Sequence, residues 1–468
     1  MWLYAAIEVE GNSNMKKQLT ALLLLVVMAS VAQSGNKEKP ASYDRANDRH
    51  PFTVFMQEGG WCWFQDPRAI IHDGKLFLGA IQGNGTGDAL VGVYDLEAKK
   101  RLGNVVMHQG YDRDDHNSPV FFVRPDGSIL AMYARHGGDF FHLYRISDPD
   151  NPLKWSEEKK KVYEHKNKKD KVTYTNLYAM PSEGKLYNFF RMIDYCPTFT
   201  TSQDNGETWS KATKLIAEDA EGRQRPYARY AGNGRDTIHI SFTDAHPHDI
   251  GNSIYYAEFR DGNFYRADGT KIKNLAAEGP LQPGEAELIF KGSGIARNLK
   301  KPRKHSMPRA AWTSSIVLDE KGHPHIGYTL FLSNTDHRYR IASWDGKKWT
   351  DRELAFGGKR LYDAETSYTG LITLDPKDPE VVVISTDVDP STGKDLGGQH
   401  EIYRAKVGSN DDIKTIRWQP ITKNSPVKNI RPVILRKDGK RYILWNRGDY
   451  QTFRNYQLDT VGIIETVQ

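Results

Sequence analysis

The chain has 468 residues, 38 % of them hydrophobic and 26 % charged, a balance that excludes an intrinsically disordered polymer. Its 65 Lys and Arg against 59 Asp and Glu give a formal charge of +6, which suits an acidic partner better than a basic one. The two cysteines, Cys62 and Cys196, are too few for a disulfide framework in so long a chain and leave one bridge, burial or metal ligation open.

The N-terminus reads as a processing signal. Met15-Lys16-Lys17 supplies a charged start, Leu19 to Val31 an apolar run too short to span a bilayer comfortably, and Ser30-Val31-Ala32 a small-residue cleavage site. Residues 1–33 are therefore expected to be an upstream extension, with translation starting at Met15, followed by a secretory signal peptide. No cysteine follows the apolar run, so a lipid anchor is not expected. The mature part, 34–468, is expected as a single catalytic domain exported to the periplasm or the extracellular medium, monomeric and without stable membrane insertion. That location makes nucleic acid a poor partner.

Beyond residue 50 a unit of turn plus alternating apolar residues recurs. It appears as HDGKLFLGA from His72, RPDGSILAMYA from Arg124, PSEGKLYNFFR from Pro181 and GNGRDTIHISF from Gly232. DEKGHPHIGYT from Asp319, DPKDPEVVVIST from Asp375 and RKDGKRYILWN from Arg436 complete the series. A Gly or Asp turn followed by period-two hydrophobicity is a hairpin signal. The seven units mostly begin 51 to 61 residues apart, with one gap of 87 that leaves room for an insertion around 270–305. Such spacing, with about four short strands per unit, is that of a propeller blade. The expected fold is all-β: a seven-bladed β-propeller of four-stranded antiparallel blades. The run Lys159 to Lys171 (KKKVYEHKNKKDK) lies between two of these units and reads as a solvated loop.

A second repeat agrees. Ser202 to Trp209 (SQDNGETW) fits the pattern S-x-D-x-G-x-T-W, with degenerate copies at Ser147 to Trp155, Trp344 to Trp349 and Asp411 to Trp418. In such a turn Ser and Asp bond backbone amides and Gly takes a positive φ. This Asp box resembles the repeat of bacterial-neuraminidase-type propellers, where it is structural and sits away from the active face, so it speaks for fold rather than chemistry.

Chemistry in a propeller belongs to the inner strands and the loops between blades. His116 opens one strand and His136 closes the next across the Asp126-Gly127 turn, so one hairpin brings the two imidazoles together. In the following unit Tyr174 and Arg191 hold the corresponding positions. Arg and His suit an anionic carboxylate, and Tyr a proton transfer.

The Asp box, TDAHPHD with NSIYYAEF (243–259) and YTGLITLDPKDPEVVVISTDVDP (368–390) resemble repeat-containing carbohydrate-active propellers. Within these, the His116, His136, Tyr174 and Arg191 series is similar to the active site of seven-bladed ulvan lyases. That resemblance, from about residue 50 to 460, implies β-elimination at a uronic acid in a rhamnose–uronate polymer. Arg191 and His116 would neutralise the carboxylate, Tyr174 would be the base and could return a proton to O4, and His136 would hold the geometry or assist the carboxylate. Stabilising the enolate-like charge would be the largest contribution. Tyr227 and Tyr230 would be further substrate contacts. No cofactor would be needed, and the partner would be an anionic polysaccharide or oligosaccharide.

Other readings were weighed beside this one. GGWCWFQDPRA (59–69) resembles a segment of propeller α-L-rhamnosidases, but Gln65 stands where they use a catalytic histidine, and Gln exchanges no proton near neutral pH. Gln65 and Arg68 are kept as substrate-binding candidates, while Trp61, Trp63 and Phe64 are expected to pack. Arg68, Arg431 and Arg447 could form a sialidase-like triad, without a matching Tyr/Glu pair. Asp112, Asp114 and Asp115, or Asp387 and Asp389, offer carboxylates but no spacing that opposes two of them. Cys196, His246 and His248, with His305 or His165, are candidate ligands for a structural zinc or calcium ion. The expected function is a polysaccharide lyase, with an α-L-rhamnosidase or a non-catalytic glycan-binding propeller as alternatives.

Overall fold

The repeated units fold as hairpins because each alternates side chains between two buried faces. In Lys75–Ile81, Leu76, Leu78 and Ala80 pack toward the blade that precedes them, while Phe77 and Ile81 pack toward the one that follows. With both faces covered, a blade strand reads as a nearly continuous apolar run, and each fully buried Leu or Phe contributes roughly 1.5–3 kcal/mol.

A computed structural model describes residues 40–217, 225–298, 300 and 304–467. The expected signal peptide and upstream extension lie outside the described residues. No helix among the described residues is long and apolar enough to cross a membrane.

Residues 41–468 form one compact unit with seven antiparallel sheets. Blade 1 is Ala69–His72, Lys75–Ile81, Ala89–Asp95 and Lys100–His108. Blade 2 is Val120–Val123, Ile129–Tyr133, Phe141–Ile146 and Lys159–Val162. Blade 3 is Thr173–Met180, Lys185–Arg191, Pro197–Ser202 and Thr213–Lys214. Blades 5 and 6 open on Ala310–Leu318 and Ile372–Leu374 and keep the same order. Blade 7 takes Lys428–Lys437, Lys440–Thr452 and Asn455–Thr466, and its outer strand, Thr53–Met56, comes from the other end of the described chain. Ion pairs from Asp48 to Arg447 (2.6 Å) and from Arg45 to Asp459 (2.8 Å) fasten that closure.

Blade 4 departs from the four-strand expectation. After Ala228–Gly232, Ile238–Thr243 and Ile254–Arg260 it adds Asn263–Tyr265 and Lys271–Asn274, and Glu287–Phe290 pairs back onto the third strand. These six strands absorb the long gap between repeat units.

Every seam between neighbouring blades has its own hydrophobic cluster. The Asp-box tryptophans feed these seams: Trp155 between blades 1 and 2, Trp209 between 2 and 3, Trp349 between 4 and 5, and Trp418 between 5 and 6. In the full copy the Gly206 amide donates to Ser202 Oγ (2.8 Å) and the Thr208 amide to Asp204 (2.8 Å). Gly206 has φ +96°, and a Cβ there would meet Leu130 Cδ2 at 2.5 Å, so only glycine fits.

An eighth cluster lies on the axis. Cys62, Trp63 and Phe64 pack against Tyr174, Tyr227, Trp312, Tyr368 and Tyr450, which stand at or beside the openings of blades 3 to 7. The segment 61–67 thus crosses the ring, and its carbonyls are taken up from several blades. Arg431 donates to Trp61 O, Arg229 to Trp63 O, Asn176 to Phe64 O (3.1 Å) and the Leu177 amide to Asp66 O (2.9 Å). Burying these backbone groups without such donors would carry a desolvation cost.

Candidate active site

Inner strands begin at one end of the axis, and all four leading sequence candidates gather there. His116 sits in a short 3-10 turn, Asp115–Asn117, ahead of the first strand of blade 2. Asp114 caps that turn through the His116 amide (3.1 Å), and His136 follows the second strand of the same blade. The two imidazoles stack with centroids 4.2 Å apart. In blade 3, Thr173 pairs with Arg191, and the register shifts between Thr173 and Asn176. The bulge puts Tyr174 at φ +68°, a strained conformation for an aromatic residue that turns its ring toward the axis. Tyr174 lies 5.9 Å from His116 and 6.3 Å from His136, ring to ring.

Asp114 organises both histidines. Its Oδ1 lies 2.6 Å from His116 Nδ1 and its Oδ2 3.1 Å from His136 Nδ1. Burial opposes a charge on His116, but Cys62, Asp114 and Asp115 outweigh it and raise the pKa well above its ordinary value. Burial and the neighbouring charge of His116 instead push His136 down to about 4. The pair therefore holds one proton charge, on His116, and His136 is neutral with Nδ1–H on Asp114 and Nε2 free to accept. Burial likewise opposes the Asp114 charge, yet the two histidines hold its carboxyl well below the usual range.

This assigns His116 a different position from the one the resemblance gives it. Its Nε2 is bonded to the Tyr368 hydroxyl (2.8 Å), its Nδ1 to Asp114, and its side chain is 3 % exposed against 26 % for His136. Both ring nitrogens of His116 are thus engaged within the protein, while His136 is the more exposed of the pair.

The guanidiniums of the site lie one blade on. Arg191 Nη1 donates to the Tyr227 hydroxyl (3.0 Å), and its guanidinium stands 5.2 Å over the Tyr174 ring, 5.4 Å over Tyr227 and 5.0 Å over Tyr195. Arg225 also bonds the Tyr227 hydroxyl. Burial works against ionising Tyr227, but Arg225 and Arg191 reverse it and lower its pKa. Tyr174 goes the other way: burial, with Tyr227 adding to it, raises its pKa. One phenol is readied to lose a proton and the other to keep it.

The remaining candidates spread out. Tyr230 is buried in the seam between blades 3 and 4, stacked on Phe189 at 4.7 Å. Gln65 is buried and donates to His116 O, and Arg68 pairs with Asp66 (3.0 Å), so neither stands among the site side chains. Arg68, Arg431 and Arg447 do not converge: each pairs separately, with Asp66, Asp115 and Asp48. Asp387 meets Lys359 at 3.1 Å. Cys62 and Cys196 are buried thiols with no bridge between them. His246 and His248, centroids 3.6 Å apart, meet Glu365 rather than Cys196. His165 stacks on Phe140 (3.7 Å), and His305 bonds Asn334 (2.9 Å).

Several participants escaped the sequence reading. Tyr368 is 252 positions from His116. Asp114 was weighed only as a partner for another carboxylate, although it lies two positions from His116. Arg225 carried a usable signal beside the expected Tyr227, since residues i and i+2 of an extended segment point the same way.

Comparison with known proteins fits the fold. The model of a BNR repeat-containing family matches residues 75–356, more than half of the chain, and the chain belongs to that family. No curated protein matches the sequence. Among solved structures, a PL25 ulvan lyase bound to -[GlcA(1-4)Rha3S]- is similar with TM-score 0.61 and 14 % identity, over 87 % of this chain and 94 % of that one. The polysaccharide lyase Uly1 is similar with TM-score 0.57 and 12 % identity, over 93 % and 94 %.

Proposed function

We propose that this BNR-repeat propeller is a polysaccharide lyase that cleaves an anionic rhamnose–uronate polymer of the ulvan kind by β-elimination. The observation that carries the reading is the Tyr227 hydroxyl held between Arg191 and Arg225, next to Tyr174 and the neutral His136. Such a group combines a carboxylate clamp with two phenols of opposite proton affinity, which is what elimination beside a carboxylate requires. The similar PL25 structure was solved with a glucuronate–rhamnose sulfate ligand, and this supports the substrate class.

In the proposed reaction the uronate carboxylate lies against Arg191 and Arg225. Ionised Tyr227 takes the C5 proton, and the electron pair of the C5–H bond delocalises onto the carboxylate, where the two guanidiniums neutralise it. The C4–O4 bond then breaks, a C4=C5 double bond forms, and Tyr174 gives its proton to O4. The resemblance assigns the base to Tyr174; the two guanidiniums against the Tyr227 hydroxyl support giving that role to Tyr227 instead. His136 Nε2 accepts a substrate hydroxyl and fixes the sugar, held by Asp114 and His116. After product release both phenols exchange protons with water.

The test is ultraviolet absorbance of the conjugated unsaturated uronate, with purified protein on ulvan and on other uronate glycans. Tyr227→Phe and Tyr174→Phe are each expected to lower kcat by about 10²- to 10⁴-fold. Free rhamnose without the absorbance would replace the reading with an α-L-rhamnosidase, and glycan binding with neither product would replace it with a binding protein. Full lyase activity in Tyr227→Phe would return the base to Tyr174.

A further inference from the structure

The far end of the axis opens into a funnel of about 880 Å³, between the C-terminal halves of the inner strands. It lies on the other side of the crossing segment from the Tyr/Arg/His group, and that volume is within the range of small-molecule sites. Its walls are largely aliphatic, with Ile316, Leu374, Val433 and Leu435 from blades 5, 6 and 7. Its floor is Trp63 with Asp66, Arg68 and Arg229.

The floor carries one charge too many. Asp66 alone pairs with two guanidiniums, Arg68 (3.0 Å) and Arg229, and their side chains are 6 % and 7 % exposed. Nε of each is buried without a hydrogen-bond partner. Arg68 makes all its side-chain hydrogen bonds among the described residues through Nη1, to Trp63 O, Gln65 O and Asp66. Its Nη2 is therefore uncommitted in a residue that lines the funnel. Burial lowers the Arg68 pKa, Asp66 opposes this, and Arg229 adds to it. A buried cation without its own counterion is costly, and an anion that reaches it relieves that cost. At the mouth Lys321 and Lys377 stand against Asp319 and Glu320, and Arg235 is paired with Asp236 (3.0 Å), so the unbalanced charge lies at the floor.

We propose that this funnel is a binding site for a small organic monocarboxylate, its carboxylate on Arg68 at the floor and an apolar body along the aliphatic walls. One excess charge calls for one anionic group, and walls without charged side chains favour an apolar body over a second anion. The site is separate from the proposed lyase centre and does not depend on that reading.

Calorimetric titration of the full mature chain with benzoate, and with neutral benzamide as the isostere, tests it in low-salt buffer. Benzoate is expected to bind once per chain and at least ten times more tightly than benzamide. Leu318→Glu, a half-exposed wall position, is expected to weaken benzoate at least tenfold with Tm unchanged. Arg191→Met at the opposite end is expected to leave benzoate binding intact. Absence of benzoate binding, equal binding of benzamide, an unaffected Leu318→Glu variant, or loss of binding in Arg191→Met would each overturn the proposal.

Discussion

The two ends of the propeller axis share one dividing segment, residues 61–67, yet they are built on different physics. At the strand-opening end, ionisable groups from four blades interlock: Asp114 serves two histidines, Arg431 joins Asp115 and the Tyr450 hydroxyl (2.6 Å each), and Arg191 meets Tyr227. At the other end a single carboxylate, Asp66, faces two guanidiniums beneath aliphatic walls. The difference shows where a propeller spends buried charge. Paired and networked, charge shifts proton affinities and can move protons; left in small excess, it can only hold an anion.

The largest expected effect tests how firmly charge holds the divider from the site end. Arg431→Met leaves the fully buried Asp115 with only His116 (3.1 Å), whose charge Asp114 already shares, and is expected to cost about 3 kcal/mol, read from the denaturation midpoint. Arg229→Met should cost clearly less, because Asp66 keeps Arg68. Equal losses would erase the contrast between the ends.

Asp114→Asn comes next. Without the shared carboxylate the pKa of His116 falls, with Cys62 and Asp115 still raising it, and His136 loses its orientation. A fall in kcat of about 100-fold is expected, with KM little changed and a shifted pH profile. Benzoate binding at the funnel should not respond.

Acid should then separate the two ends. His142 and His337 are held by burial to about 3, and His136 and His400 to about 4, all near the strand-opening end, against His239 (about 4) and His325 at the other end. Their folded pKa values lie below the unfolded value of about 6.5, so the unfolded chain binds more protons between the two. That stability is complete above pH 6.5 and is lost as pH falls toward 4. Hydrogen exchange at pH 5 should show protection falling first at the site end, and uniform loss would count against it. His116 has the opposite sign: its raised pKa gives stability that is complete below pH 6.5 and lost as pH rises through the folded value.

The smallest effect belongs to neither end. Asp204→Ala removes the Asp-box bonds on the outer part of blade 3 and should cost about 1 kcal/mol, with kcat unchanged. A change in kcat would show that the outer turns are coupled to the axis.

The sequence displayed what is local. Leu76, Phe77 and Leu78 alternate within one strand, and Ser202, Asp204 and Gly206 lie within one turn, so blades and Asp box were legible. The extra strands of blade 4 were not, because 263–290 mixes turn formers with short apolar pairs that give no period. At the site, His116 and His136 share a hairpin and were found together. Arg431 and Asp115 are 316 positions apart, and nothing along the chain ties them. Nor does composition reveal that Tyr174 and Tyr227 differ in proton affinity, since only the guanidiniums folded against Tyr227 separate them.

The strand Thr53–Met56 completes the last blade by pairing with Asn455–Thr466 across about 400 positions. A ribosome makes that strand about 400 residues before its partner. Local hairpins can form during synthesis, whereas ring closure must wait for the end and pay a long loop-closure entropy. Until then the Met56 edge and the unpaired side of blade 7 are both exposed, so the slow step in assembling this protein should be closure of the circle rather than formation of any blade.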